Sequence, residues 1–170
     1  SFTNNQITVV GDNGIYITEG PNSVFTNNDI NGPGDNGIYI TEGSNSVFTN
    51  NDINGPGTYG IYNNNANNCE YADNTIYPPS YGINSDYSSQ SVFNNNSIIS
   101  SSKGIRAYDC DNCSFNNNDI NSTNGTTGPD YGIEAQNSSG ISLNNNTIVA
   151  DSDGIYVDGS FNATITNNHI

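Results

Sequence analysis

Positive charge is almost missing from this chain. Lys103 and Arg106 are its only basic side chains besides the single histidine, His169, and they face 17 acidic residues for a net charge of -15. Nucleic acid and anionic membrane surfaces are bound through basic patches, so neither is expected as a partner. Long apolar runs are missing too: none approaches the roughly 18 residues of a membrane-spanning helix, so no membrane insertion is expected. Met and Trp do not occur, and Leu143 is the only leucine. Leucine-rich repeats are thereby excluded, while the Gly, Asn and β-branched content excludes helical arrays. Cysteine is scarce and odd in number. Cys110 and Cys113 are close enough in sequence to bridge locally, leaving Cys69 unpaired, and plain buried thiols are the alternative. There is no second C-x-x-C and His169 is remote, so a metal or redox role for the pair is disfavoured.

What is abundant is asparagine, 35 of the 170 residues, and it is placed with regularity. Asn-x-Ile recurs at Asn5–Ile7, Asn28–Ile30, Asn51–Ile53, Asn74–Ile76, Asn96–Ile98, Asn118–Ile120, Asn146–Ile148 and Asn168–Ile170. Gly-Ile follows at 14–15, 37–38, 60–61, 82–83, 104–105, 132–133 and 154–155. The Ile-to-Ile spacings are 23, 23, 23, 22, 22, 28 and 22. Disordered segments do not hold apolar residues in register, so the polar composition is not that of disorder. A fixed period of this size means a solenoid, here a single domain over 1–170. Polar, uncharged richness with hardly any Lys points to an extracellular or cell-surface setting.

One coil, residues 23–45, shows the construction. Alternation in Ser23-Val24-Phe25 and in Ile38-Tyr39-Ile40 has the period of strands. Phe25 and Ile30 both read as inward yet lie five apart, which strict alternation forbids. The chain therefore bends between them at Asn27-Asn28, and Asn tolerates the left-handed conformation of such a bend. Stacked bends line up Asn5, Asn28, Asn51, Asn74, Asn96, Asn118, Asn146 and Asn168, predicting a ladder of side-chain amides. Gly14 and its equivalents read as a second corner, and Gly-Pro-Gly at 32–34 and 55–57 as a looser one. Each coil then holds about three short strands. Phe2, Phe25, Phe48, Tyr71, Phe93, Phe115, Leu143 and Ile165 form one inward column. Ile15, Ile38, Ile61, Ile83, Ile105, Ile133 and Ile155 form another. Seven coils at about 4.8 Å per rung make a rod about 35 Å long.

The Val-Phe-Thr-Asn-Asn-x-Ile and Gly-Ile-Tyr-Ile segments resemble those of the right-handed parallel β-helix proteins, the pectate-lyase-like superfamily and its parallel β-helix repeat relatives. The resemblance runs the length of the chain and implies an all-β solenoid of about seven coils of 22–23 residues. It says less about function, because that superfamily includes polysaccharide lyases and hydrolases, phage tailspikes and surface proteins. Its lyases, as the resemblance implies, use clustered carboxylates for calcium with an Arg or Lys as base.

Chemistry of that kind has one candidate centre here, Lys103 and Arg106 with Glu134. Rung register sets Arg106 between Asn84 and Glu134 and Lys103 between Tyr81 and Tyr131. An Arg106–Glu134 pair and a lysine held over rings account for the same residues without any substrate. No cofactor is expected unless calcium bridges the acidic columns, Asp12 with Asp35, Glu19 with Glu42, and Asp29 with Asp52. In water two like charges one rung apart cost only about 0.9 kcal/mol, so a solvated face also explains them. Outward Tyr16, Tyr39, Tyr62 and Tyr156 form a stripe suited to glycans or to another surface protein, or simply to cross-strand pairing. Sequons begin at Asn95, Asn112, Asn121, Asn124, Asn137, Asn145 and Asn162. Asn121, Asn124, Asn137 and Asn162 are the glycosylation candidates, while Asn95 and Asn145 precede ladder positions and are expected to be less accessible.

Both chain ends fall in the same phase of the coil, Phe2 to Ile7 and Ile165 to Ile170. An uncovered rung exposes unpaired backbone and open core, so either the chain is an excerpt of a longer β-helix or its ends stack head to tail. Residues 11–33 and 34–56 differ only at Pro21 versus Ser44, the mark of a duplicated rung. The sequence therefore points to an extracellular structural β-helix that associates with itself through Phe2, Ile7, Ile165 and Ile170. The alternative is a carbohydrate-active β-helix, enzyme or binder, centred on Lys103, Arg106 and Glu134.

Overall fold

Each coil turns on an amide. In the computed structural model, which describes residues 1–77, 80–122 and 130–170, the residue before every ladder Asn adopts a left-handed backbone. Asn27, Asn50, Asn95 and Asn117 have φ of 55°, 57°, 54° and 56°. The bend turns the following Asn inward, where Asn28, Asn51, Asn74, Asn96, Asn118 and Asn146 are buried. Side-chain bonds then run rung to rung. Nδ2 of Asn28 donates to Oδ1 of Asn51 at 2.8 Å, Asn51 to Asn74 at 2.9 Å and Asn74 to Asn96 at 3.0 Å. The series continues from Asn96 through Asn118 and Asn146 to Asn168.

The bend separates two flat strands, and three parallel sheets result. The first has eight strands, from Phe2–Thr3 to Thr164–Thr166. The second has seven, from Gln6–Thr8 to Thr147–Ala150, continued by a bridge from Thr147 to His169. The third also has seven, from Asn13–Thr18 to Asp153–Asp158. Register is one coil throughout, as in Phe25↔Phe48, Ile30↔Ile53 and Ile38↔Ile61. Among the described residues every strand is parallel to its neighbours and no helix occurs.

The interior is filled by the expected columns. Phe25, Phe48, Tyr71, Phe93 and Phe115 stack with centroids 4.8 Å apart and planes within 7°. Ile30, Ile38 and Ile40 are fully buried in one rung, and each such side chain is worth roughly 1.5–3 kcal/mol. The column begun by Ile17 and Ile40 turns polar in mid-rod, where Asn63 and Ser85 take the same buried place.

The glycine of Gly-Ile does not form a corner, contrary to the sequence reading. Gly14, Gly37, Gly60 and their equivalents lie inside third-sheet strands without a left-handed φ. Glycine is needed there by crowding: a Cβ on Gly60 would lie 2.6 Å from the Gly82 carbonyl oxygen and run into the Ile76 side chain. The second corner instead follows the third sheet, with left-handed residues such as Glu42 and Asn45.

Asn74 makes four bonds: Nδ2 donates to Asn96 and to the Phe48 carbonyl, and Oδ1 accepts from the backbone N–H and Nδ2 of Asn51. Asn74→Ala leaves buried partners unpaired and is expected to lower stability by about 3 kcal/mol in urea unfolding. Asn95→Ala, at an exposed left-handed position, is expected to lose only about 1 kcal/mol. Equal losses would mean that the ladder adds nothing beyond the bend.

Candidate functional site

The third sheet gathers the chain's unusual residues on its outer face. Strand Lys103–Tyr108 pairs with Tyr81–Asp86 on one side and Tyr131–Gln136 on the other. Lys103 lies in register with Tyr81 and Tyr131, its Nζ 5.5 and 5.3 Å from their ring centroids. Arg106 lies between Asn84 and Glu134, with its Nε 3.3 Å from Glu134 Oε2. Both contacts are those the register predicts.

Two others are not legible in register alone. Lys103 Nζ reaches diagonally to Glu134 Oε2 at 2.7 Å. Arg106 Nη1 donates to Asp86 Oδ1 at 2.5 Å and to Asn84 Oδ1 at 3.1 Å. Asp86 stands two residues beyond Asn84 on the same face, a period-2 relation that the sequence does contain. Glu134 is only 2% exposed, and a buried carboxylate persists only where charges pair with it. Here two cations meet two carboxylates, and the cluster is neutral.

Around it run two files of rings, joined by Lys103. Tyr16, Tyr39 and Tyr62 follow one another at 5.0 and 4.9 Å, and Tyr62 passes the file sideways to Tyr59 at 4.8 Å. Tyr59 continues to Tyr81 at 5.0 Å; Lys103 bridges to Tyr131, which stacks on Tyr156 at 4.7 Å. In the column of Tyr16, Tyr39 and Tyr62 the next three places are Asn84, Arg106 and Glu134 before Tyr156, so the rings pass that gap only by the sideways step to Tyr59 and the lysine between Tyr81 and Tyr131. Stacked this way, Tyr39 and Tyr62 lie within 4° of parallel and turn their faces to each other. Burial, then the Asp86 carboxylate, pushes the Tyr62 hydroxyl up to about 12; burial, then Tyr81 and Asp86, raises Tyr59.

The remaining candidates are dispersed. Asp29 accepts from Asn31 Nδ2 at 2.5 Å, Asp52 from Asn54 at 3.1 Å, and Asp12, Asp35, Glu19 and Glu42 are exposed. Among the described residues no three His, Cys, Asp or Glu converge as a metal site needs. Asn121, Asn137 and Asn162 are exposed, and Asn124 lies outside the described residues. Asn95 and Asn145 are exposed as well, against expectation, because the left-handed bend turns them outward while the next Asn goes in. Asn145 uses its amide on Asn117 Oδ1 at 2.8 Å. All three cysteines are buried free thiols. A groove of about 470 Å³ between Asn45, Asn68, Glu70 and Gln90 lies beside the first sheet, apart from the charged cluster.

Glu134→Ala strands two cations on a partly buried face and is expected to destabilise by about 3–5 kcal/mol. Glu134→Gln, which keeps the volume, should lose less. Thermal unfolding of both variants measures this. Alkali tests the rings: Tyr62 is protonated in the fold up to about 12, whereas an unfolded tyrosine ionises near 10. Its contribution is complete below about pH 10 and is lost as pH rises toward 12. Tyr62→Phe is expected to flatten the fall in stability over that window, followed by tyrosinate absorbance and circular dichroism together.

No curated protein matches the chain. Among solved structures, a double mutant of the periplasmic alginate epimerase AlgG is similar at 18% identity and a TM-score of 0.45, over 84% of this chain and 37% of that one. The chain thus spans well under half the length of that structure. The three parallel sheets and one-coil register agree with a family match that runs over residues 1–170, and the protein belongs to the family described as right handed beta helix region.

Proposed function

We propose that the chain is a structural element at a cell surface or outside the cell: a stiff rod of stacked rungs, extended at its ends by further rungs. The observation that carries this reading is the polarity of the Asn ladder. Each Asn donates its amide to the next rung toward the C-terminus, from Asn5 to Asn28 and onward to Asn168. At one end Asn5 presents an acceptor, and at the other Asn168 presents donors. Phe2, Ile165 and Ile170 of the apolar columns are exposed by 40%, 50% and 69%. Ile7, in the first coil, is half-buried.

Head-to-tail contact between copies is the sharper form of the proposal. Phe2 of one copy would sit over Ile165 of another, and Ile7 over Ile170, closing the first two sheets and the ladder in a single orientation. The third sheet would then lack one strand, since it has seven where the first has eight. The carbohydrate reading draws less support from the same face. Its two cations are already neutralised by Asp86 and Glu134, and the best-stacked tyrosines turn their faces to one another.

Electron microscopy across a dilution series tests the association. Rods lengthened in steps of about eight rungs, and shortened by Ile170→Asp, are the expected result. Uniform short particles at every concentration would remove the head-to-tail claim and leave a scaffold whose rungs continue only within one chain.

A further inference from the structure

Rung five departs from the repeat at one corner. Where the third sheet hands over to the first, a hydroxyl closes the turn on a carbonyl three residues back in the first two rungs. Ser23 Oγ donates to the Gly20 carbonyl at 2.7 Å and Ser46 Oγ to that of Gly43 at 2.5 Å. The rung before the exception carries Ser88 and Ser91 in these two columns, both buried. In rung five the columns hold Cys110 and Cys113, also buried. Elsewhere the first of these columns holds Gly20, Gly43, Ala66, Ser88, Ser138 and Ser160, and the second Ser23, Ser46, Cys69, Ser91, Ile141 and Ala163, so only this turn carries sulfur at both ends.

Besides longer contacts of 3.9 Å from Cys110 Sγ to Ser85 Oγ and from Cys113 Sγ to the Asp111 carbonyl, the two sulfurs share one partner. Cys110 Sγ lies 2.7 Å and Cys113 Sγ 3.3 Å from the same acceptor, the Ser88 carbonyl. They lie 2.6 Å from each other. Cys69 is placed otherwise. It occupies the Cys113 column two rungs away, and Ser91 stands between them, its Oγ accepting from the Cys69 N–H. Two rungs are about 9.6 Å, beyond the roughly 7 Å that a disulfide spans between Cα atoms.

We propose that Cys110 and Cys113 form a disulfide within the turn, closed by exchange with a small-molecule disulfide such as oxidised glutathione, and that Cys69 stays a thiol. In the first step one cysteine thiolate attacks the oxidant's sulfur, giving a mixed disulfide and one reduced small thiol. The second cysteine, as thiolate, attacks the protein sulfur of that mixed disulfide and releases the second small thiol. Two electrons pass from the protein to the oxidant, and the two cysteine protons end on the two released thiols. The closed fold disfavours the thiolate, because the Cys113 hydrogen bond and burial raise Cys110 well above the usual thiol range. Exchange therefore runs on the open corner, during folding or local opening, and the stacked rungs then shield the bond from reductant. The inference is independent of the scaffold reading, since a bridge in one turn requires no contact between copies.

The test is refolding of the full chain from a reduced, denatured state in an oxidised and reduced glutathione mixture. Denaturing alkylation with iodoacetamide, intact mass and peptide mapping follow. The expected product carries one alkyl group, on Cys69, with peptides containing Cys110 and Cys113 joined and two hydrogens missing. Starting from the folded, reduced chain, the bond should form at least tenfold more slowly. Three alkylated cysteines at every redox ratio, or a link that includes Cys69, would overturn the proposal. The double variant Cys110→Ser and Cys113→Ser copies the neighbouring rung and is expected to fold. Reductant should lower the melting temperature of the oxidised parent by on the order of 5 °C and leave the variant unchanged. An equal shift in both would also overturn it.

Discussion

A buried primary amide needs four partners, and in this fold nearly everything follows from supplying them. An Asn side chain has two donor hydrogens and two acceptor lone pairs. Asn51 uses all of them, donating to Asn74 and to the Phe25 carbonyl while accepting from the side chain and backbone of Asn28. Complete pairing holds only if the next rung repeats the same bend at the same height, and any slip of register would leave polar atoms buried without partners. The ladder thereby forces the parallel alignment from which the aromatic and isoleucine columns follow. The Phe stack fills the space, and the amides set the pitch.

How far this was legible in the sequence depends on the period of each signal. The Asn ladder, the Phe column and the Arg106–Glu134 pairing are relations between residues one coil apart, and aligning the coils on Asn-x-Ile and Gly-Ile exposes them directly, the 28-residue coil included. The glycine of Gly-Ile was misread because glycine marks both turns and close approaches, and only the position of Ile76 against Gly60 tells the two apart. Contacts that run diagonally across rungs were hidden for a different reason. Lys103 reaches Glu134 because a four-carbon stem spans strands and residues at once, a length that column counting does not include. The outward turn of Asn95 and Asn145 depends on which of two adjacent asparagines takes the left-handed backbone, and the sequence offers the two equally.

The outer face shows how a strongly acidic chain keeps its two cations. Both are placed on the same strand, and each is held by carboxylate and ring together, so that the buried carboxylate of Glu134 is never alone. The same neutrality separates this cluster from an open catalytic centre, where charge is left free to meet a substrate. The irregularities of the rod nevertheless gather in one stretch, with Asp86, the basic pair, the two neighbouring thiols and the 28-residue coil all between Tyr81 and Glu134.

The near-identity of residues 11–33 and 34–56 has a consequence for folding. Two coils with the same columns can dock in each other's place, so an incoming rung meets two sites of almost equal fit. Skipping one leaves 23 residues looped out with every remaining contact native in kind, and recovery then requires the misplaced coil to detach. Such a chain has a built-in kinetic trap at its N-terminal end, while the divergent rungs around Cys110 and Lys103 each recognise a single place. Assembly that starts from the irregular middle and spreads outward meets the ambiguity last, when the fewest alternatives are left.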